Sequence, residues 1–515
     1  MARIAVIGAG MASLAAAARL AVAGHRVVVL ERTGDHGGAL GRLARDGFRF
    51  DTGPGLLTLP AVYRDLFVKT GKAPLEDVVE LVEVDPAGRH VFADGTDVTL
   101  PNASRSGTLA ALDAACGPGS GERWSELLVR ARETWEVMRR PMLEEALPPD
   151  PRGFGRDPYP ALRRGFGPGR ARPTLARVAA AELRDPRLVA LLESHLLAHG
   201  VDPRVGPASA AVLPYLEATF GVWYVRGGLR ALADAVYERC RERRVDFRFD
   251  APVAGLLVAG GRAAGVRLAD GEEVPADVVV AGAPLPAPAA TDPGGAGRAF
   301  PGPAGERGRC TVHLALRGSR PAGCAHRTVV HAADRERALD WLFARHPKPL
   351  PPAGALTVTV LRPDDPATRP DDGHEAVTLT AAVPAHGPGG AGGSGGAGTG
   401  PGTVDWDAPG AADGFAELMV AAAERAVPGL RERELWREVR TPVDVEQRTG
   451  AAGGAVPAPS LAGAAGLLLR SANRAPLPGL YVVGGWAHPG GGLPHAGMSA
   501  AIAADLVMGG PGGSR

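Results

Sequence analysis

The chain opens on a short apolar run, Arg3 to Ile7, that stops at Gly8-Ala9-Gly10 and resumes from Met11 to Ala23 as a stretch of alanines and leucines. Such a composition favours a helix over thirteen residues. Gly24-His25 ends it, and Arg26 to Leu30 forms a second apolar run of strand length closed by Glu31. Strand, tight turn, helix and strand within about 30 residues make a βαβ unit. Further on, Val245 to Ala283 predicts short strands around the Gly260-Gly261 turn. Asn473 to Val507 predicts a strand, a glycine-rich turn and a final helix. Arg187 to Gly200 and Leu339 to His346 predict helices in the middle of the chain. After them, the low-complexity stretch 384–402 has nothing to bury and is expected to be a disordered loop.

The first unit carries a Gly-x-Gly-x-x-Gly pattern with Ser13 in the third place. The first glycine permits the turn and the second lets backbone approach a pyrophosphate. The helix N-terminus at Met11 and Ala12 supplies unpaired N–H groups to that anion. The third glycine serves helix-on-strand packing, so Ser13 is expected to alter the fit and leave the binding loop intact. Glu31, 21 positions after Gly10, is placed to accept hydrogen bonds from ribose hydroxyls. Dinucleotide binding is the function class these residues point to.

At 515 residues the chain is too long for one core and implies at least two domains. A formal net charge of +1 gives no electrostatic argument for a nucleic-acid partner. Cys116, Cys240, Cys310 and Cys324 are scattered and predict neither a disulfide framework nor a metal site. The N-terminal stretch resembles a signal peptide, but Gly8, Gly10 and Arg19 interrupt it and cleavage would remove the first strand. The expectation is a cytoplasmic protein with no membrane-spanning segment, in contact with a membrane at most peripherally. No nucleophile elbow, P-loop or cysteine-nucleophile motif is present.

After Glu31 and Arg32 come a second glycine pair, Gly37-Gly38, then Arg42, then Phe48 to Pro54 (FRFDTGP). Together with GVWYVRGG around Arg226 and HPGGGLPHAG before the last helix, this resembles the bacterial phytoene desaturase family. These are FAD-dependent carotenoid oxidoreductases within the amine-oxidase-like flavoproteins. The resemblance runs end to end, weakest over 285–310 and 384–403. It implies an α/β protein: a Rossmann-like, GR2-type FAD-binding domain with a discontinuous α+β substrate-binding domain. The first would comprise 1–105, 225–285 and 430–510, the second 106–224 and 286–429. It places Gly8, Gly10, Met11, Ala12, Glu31, Arg32, Gly38 and Arg42 around the pyrophosphate and ribose, Val253 near the adenine, and Gly484, Gly485 and Met498 near the flavin.

The resemblance further implies an apolar isoprenoid substrate, phytoene or a related carotenoid, with oxygen or a quinone reoxidising the flavin. Three positions depart from the family pattern. Ser13 replaces the third glycine, Val225 stands before Arg226 where proline is common, and His495 follows Pro494 in place of glycine. His495 and Arg226 are therefore the candidate catalytic residues. They keep open another polyene, a retinoid-like or amine substrate, or an FAD-binding partner without turnover. His195 and His199, four apart on a predicted helix, lack a third ligand and read as a helix-edge pair rather than a metal site. Glu217 is read as either paired structurally or lining a cavity, and His488 as shaping the loop before the last helix.

Overall fold

A computed structural model describes residues 1–160, 174–283, 307–387 and 402–509. The βαβ unit forms as predicted: strand Arg3–Ile7, helix Met11–Val22 and strand Arg26–Leu30. These join a five-stranded parallel sheet in the order 480–482, 278–281, 3–7, 26–30, 246–248. Its strands come from chain segments as distant as Arg3–Ile7 and Leu480–Val482 because a parallel sheet needs crossovers, and here the crossovers carry most of the protein. One face packs on the helices Met11–Val22, Leu229–Glu242 and Leu493–Met508. The other packs on a three-stranded antiparallel sheet whose hairpin turns at Gly260-Gly261 between Val253–Ala259 and Arg262–Leu268.

A second, seven-stranded mixed sheet has the order 434–440, 307–317, 374–384, 358–361, 327–330, 88–91, 97–100. Helix Ala411–Ala423 covers its outer face, with Phe415, Met419 and Val420 fully buried against Val312, Leu314 and Val377. A third core joins the helices Ser120–Arg139, Leu175–Leu183, Pro186–Leu197 and Val212–Phe220.

The expected domain limits and these sheets do not coincide. Residues 88–100 and 434–440, assigned by sequence to the nucleotide domain, are strands of the second sheet. Gly88–Val91 pairs with Arg327–Val330 and Glu434–Arg440 with Arg307–Arg317. The helix expected at Leu339–His346 runs instead from Arg335 to Leu342, because Asp334 caps it by accepting a hydrogen bond from the Arg337 N–H at 3.0 Å. That expected at Arg187–Gly200 spans Pro186–Leu197, capped by Asp185. Most of the glycine-rich stretch, 388–401, lies outside the described residues; 384 is still the last residue of a strand. The four cysteines are unpaired, two of them buried. Among the described residues no helix is long and apolar enough to cross a membrane.

Candidate functional site

A cavity of about 890 Å³ runs from the carboxyl end of the parallel sheet to the inner face of the second sheet. Ligands of open α/β sheets bind at such strand ends. Gly8, Gly10, Met11, Ala12, Glu31, Arg32, Gly38, Val253, Gly484, Gly485 and His495 all line it.

At the sheet end the cavity wall is bare backbone. The first helix has no side-chain cap, which leaves its opening N–H groups for a ligand. Space is open in front of Gly10, and Gly8 sits at φ +84°, where a side chain would be strained. Gly38 is at φ +58°, and a Cβ there would stand 3.0 Å from the Gly10 Cα. The second glycine loop is stitched to the first by the Gly37 N–H donating to the Ala9 carbonyl at 2.8 Å. Glu31 braces both loops: Oε2 accepts from the Ala9 N–H at 2.7 Å and Oε1 from the Thr33 N–H and hydroxyl at 2.9 and 2.8 Å. A carboxylate has about four acceptor positions, so Glu31 can also serve a ribose. This cradle fits the diphosphate and ribose of a dinucleotide.

Ser13 is buried against the parallel strand ends. A Cβ on Gly282 would lie 1.9 Å from the Ser13 Oγ and 3.3 Å from its Cβ. The close helix–sheet approach that the third glycine of the fingerprint would serve is here made by Gly282 packed on Ser13.

Three predicted residues lie away from the cavity lining. Arg42 reaches toward Asp234 at 3.7 Å, at the edge of a network in which Arg230 pairs with Asp35 at 2.7 Å and with Asp234 at 2.6 Å. Arg226 is half-exposed and paired with Glu80 at 2.9 Å and more distantly with Asp365 at 3.9 Å. Met498 packs on Leu59, Leu143 and Leu216. Conversely, helix Pro442–Thr449, signalled in the sequence only by the Thr441-Pro442 and Asp444 capping pattern at its start, closes over the groove. Arg448 lines the cavity and donates from Nε to the Gly38 carbonyl at 2.7 Å, while Arg32 bonds the Gln447 carbonyl.

The floor opposite the helix is fixed by a buried polar knot. The Ser499 hydroxyl donates to the His488 carbonyl at 2.8 Å and accepts from the Gly484 N–H at 3.1 Å. The Asn473 amide donates to Ser499 and to the same carbonyl at 3.0 and 2.7 Å. His488 bonds the Glu145 carbonyl through Nε2 at 3.0 Å. His495 is enclosed, its Nδ1 without a hydrogen-bond partner among the described residues, and Gly492 lies against that nitrogen. Burial lowers its pKa to about 3, with smaller contributions from His199 and His488, so the ring is neutral at pH 7.

Beyond His495 the cavity is bounded by Leu213, Leu216, Val329, Leu339, Trp341 and Leu342. Set into this wall, Glu217 accepts two hydrogen bonds from Arg327 at 3.0 and 2.7 Å and lies 3.6 Å from His195 Nε2. Burial alone would raise the Glu217 pKa, but Arg327 and then His195 outweigh it and hold the carboxyl well below the usual range. His195 bonds the Leu191 carbonyl through Nδ1 at 3.1 Å, and His199 is kept neutral by burial, its pKa lowered to about 4.

Residues 11–308 match the profile of the flavin-containing amine oxidoreductases. A 4,4'-diapolycopene oxygenase of Methylomonas is 27% identical over 98% of this chain and 98% of its own length. A hydroxyneurosporene desaturase of Cereibacter sphaeroides is 30% identical over 98% and 97%. A zeta-carotene-forming phytoene desaturase of Myxococcus xanthus is 36% identical over 55% and 54%. Among solved structures, an oxidoreductase of Methanosarcina mazei shares the fold at a TM-score of 0.63, with 15% identity over 97% of this chain and 99% of that one. A putrescine oxidase bound to putrescine does so at 0.59, with 16% identity over 98% and 99%.

Proposed function

The chain belongs to the flavin-containing amine oxidoreductase family, and on that premise we propose that it is an FAD-dependent carotenoid desaturase. The observation that carries the reading is the continuity of one cavity from a glycine cradle to a leucine- and tryptophan-lined chamber. A dinucleotide at one end and an apolar chain at the other meet near His495. The relatives named for carotenoid conversions support an isoprenoid over an amine.

When bound, the flavin supplies the acceptor for the hydride lost from an allylic carbon, and a proton leaves the neighbouring carbon to complete the double bond. The protein's residues do the rest. Gly8, Gly10, Met11 and Ala12 hold the diphosphate, Glu31 the ribose, and Gly484 and Gly485 the flavin end, with Arg32 and Arg448 tying helix Pro442–Thr449 over the groove. The leucine-rich wall excludes water and aligns the chain. His495 is neutral and accepts a proton only transiently, because burial makes it a weak base. Oxygen or a quinone would take the two electrons removed from the substrate, and the substrate would reach the cavity through peripheral contact with a bilayer.

The test is incubation of the FAD-replete protein with phytoene in liposomes and a quinone. New absorption bands of longer conjugated polyenes are expected. Recovery of unchanged phytoene alone would refute the assignment.

A further inference from the structure

Strand Arg307–Arg317 alternates sharply. Cys310, Val312, Leu314 and Leu316 face the core beneath helix Ala411–Ala423, so Arg309 faces the other way, and it lines the cavity. Its accessible surface is cavity wall, so the guanidinium faces the cavity rather than the core. Nη2 donates to the Ala198 carbonyl at 2.9 Å, which fixes the group beside His199. Among the described residues, no carboxylate stands within 4 Å of it. Other arginines of the interior are paired with carboxylates, as Arg327 is with Glu217 and Arg362 with Glu375.

A cavity-facing guanidinium with five N–H donors, one carbonyl partner and no carboxylate beside it is free to receive an anionic ligand. The polar groups around it do not neutralise it. Glu217 is already matched by Arg327, and His195, His199 and His495 supply rings, not carboxylates. Arg309, Arg327 and Glu217 together leave one positive charge in an otherwise leucine-rich chamber. Burial lowers the Arg309 pKa, yet an arginine at neutral pH keeps its charge.

We propose that Arg309 receives the carboxylate end of an apolar chain, so that the cavity takes an isoprenoid acid as substrate or product. A guanidinium offers paired parallel donors to such a group, and the leucine and tryptophan wall takes the hydrocarbon. The proposal rests on the isoprenoid reading above and extends it from hydrocarbons to oxygen-terminated chains.

The test is titration of the FAD holoprotein with geranylgeranoic acid and with its methyl ester, reading the perturbation of the flavin absorption band. The acid is expected to bind at least about tenfold tighter than the ester, as a charge-assisted pair requires. In Arg309→Met the ratio should fall to about one with flavin content unchanged, while Arg309→Lys retains part of it. Equal binding of acid and ester to the unaltered protein overturns the proposal without any variant, as does a ratio that survives in Arg309→Met. Binding of neither probe overturns this inference, while the isoprenoid reading itself stands or falls with the phytoene incubation above.

Discussion

Gly282→Ala is the most informative substitution in the nucleotide-binding half. The new methyl would stand 1.9 Å from the Ser13 Oγ, 3.3 Å from the Ser13 Cβ and 3.3 Å from Val483 Cγ2. The first distance forces the serine to rotate away from the Ile7 carbonyl, which it reaches at 3.5 Å. Rotation relieves the worst contact and leaves two tight ones, so overpacking should cost about 1–3 kcal/mol. Ser13→Gly alone removes helix propensity and should cost about 0.5 kcal/mol. In the Gly282→Ala background the same change removes both Ser13 contacts and should instead stabilise, by about 1 kcal/mol or more. Urea denaturation of the four proteins, followed by far-UV circular dichroism, measures this reversal of sign. Additive effects would show that Ser13 and Gly282 do not share the fingerprint's third-glycine role.

Acid should unfold the protein early. Burial lowers the pKa of His199 and His488 to about 4 and of His313, His326, His331 and His495 to about 3. Each takes up a proton on unfolding below pH 6.5, so its stabilising effect is lost as pH falls from there toward its folded value. Asp51 and Asp157, raised by burial to about 6, oppose this between pH 6 and 4, leaving a net slope of roughly 5 kcal/mol per pH unit near pH 5. Urea midpoints that stay level from pH 6.5 to 5 would contradict it. Ser499→Ala strips a partner from the Gly484 N–H and the Asn473 amide and should cost about 1–3 kcal/mol while weakening FAD retention on gel filtration. Glu217→Gln leaves Arg327 without its counter-charge and should lower stability by about 3–5 kcal/mol, read by the same denaturation; a change below 1 kcal/mol would mean water already solvates the pair.

The βαβ unit was legible because each of its parts answers to local chemistry: strand run, glycine turn, alanine-rich helix, terminal acid. Its residues from Gly8 to Arg32 lie together in the structure for that reason. The far wall was not legible. Arg448 and Arg309 sit in stretches with no motif, and only the closing of two sheets on one another brings them to the cavity. Arg42 illustrates the converse, since a residue at a motif's spacing is turned aside once Asp234, from a helix almost 200 residues later, offers it an acid. The domain limits slipped for a similar cause. Strand pairing at 88–100 and 434–440 is decided by partners elsewhere in the chain, and local pattern carries no information on which sheet a strand will join. The departure at Ser13 was legible as a change of packing, but its compensation at Gly282 was visible only where helix and sheet touch.

The measurement that bears most directly on the central claim is anaerobic mixing of the yellow holoprotein with phytoene-loaded liposomes in a stopped-flow spectrometer, following the flavin band. Bleaching is expected, dependent on phytoene concentration, with polyene absorption rising at the same rate. A fully FAD-loaded protein that stays yellow would contradict phytoene as the direct electron donor in this cavity.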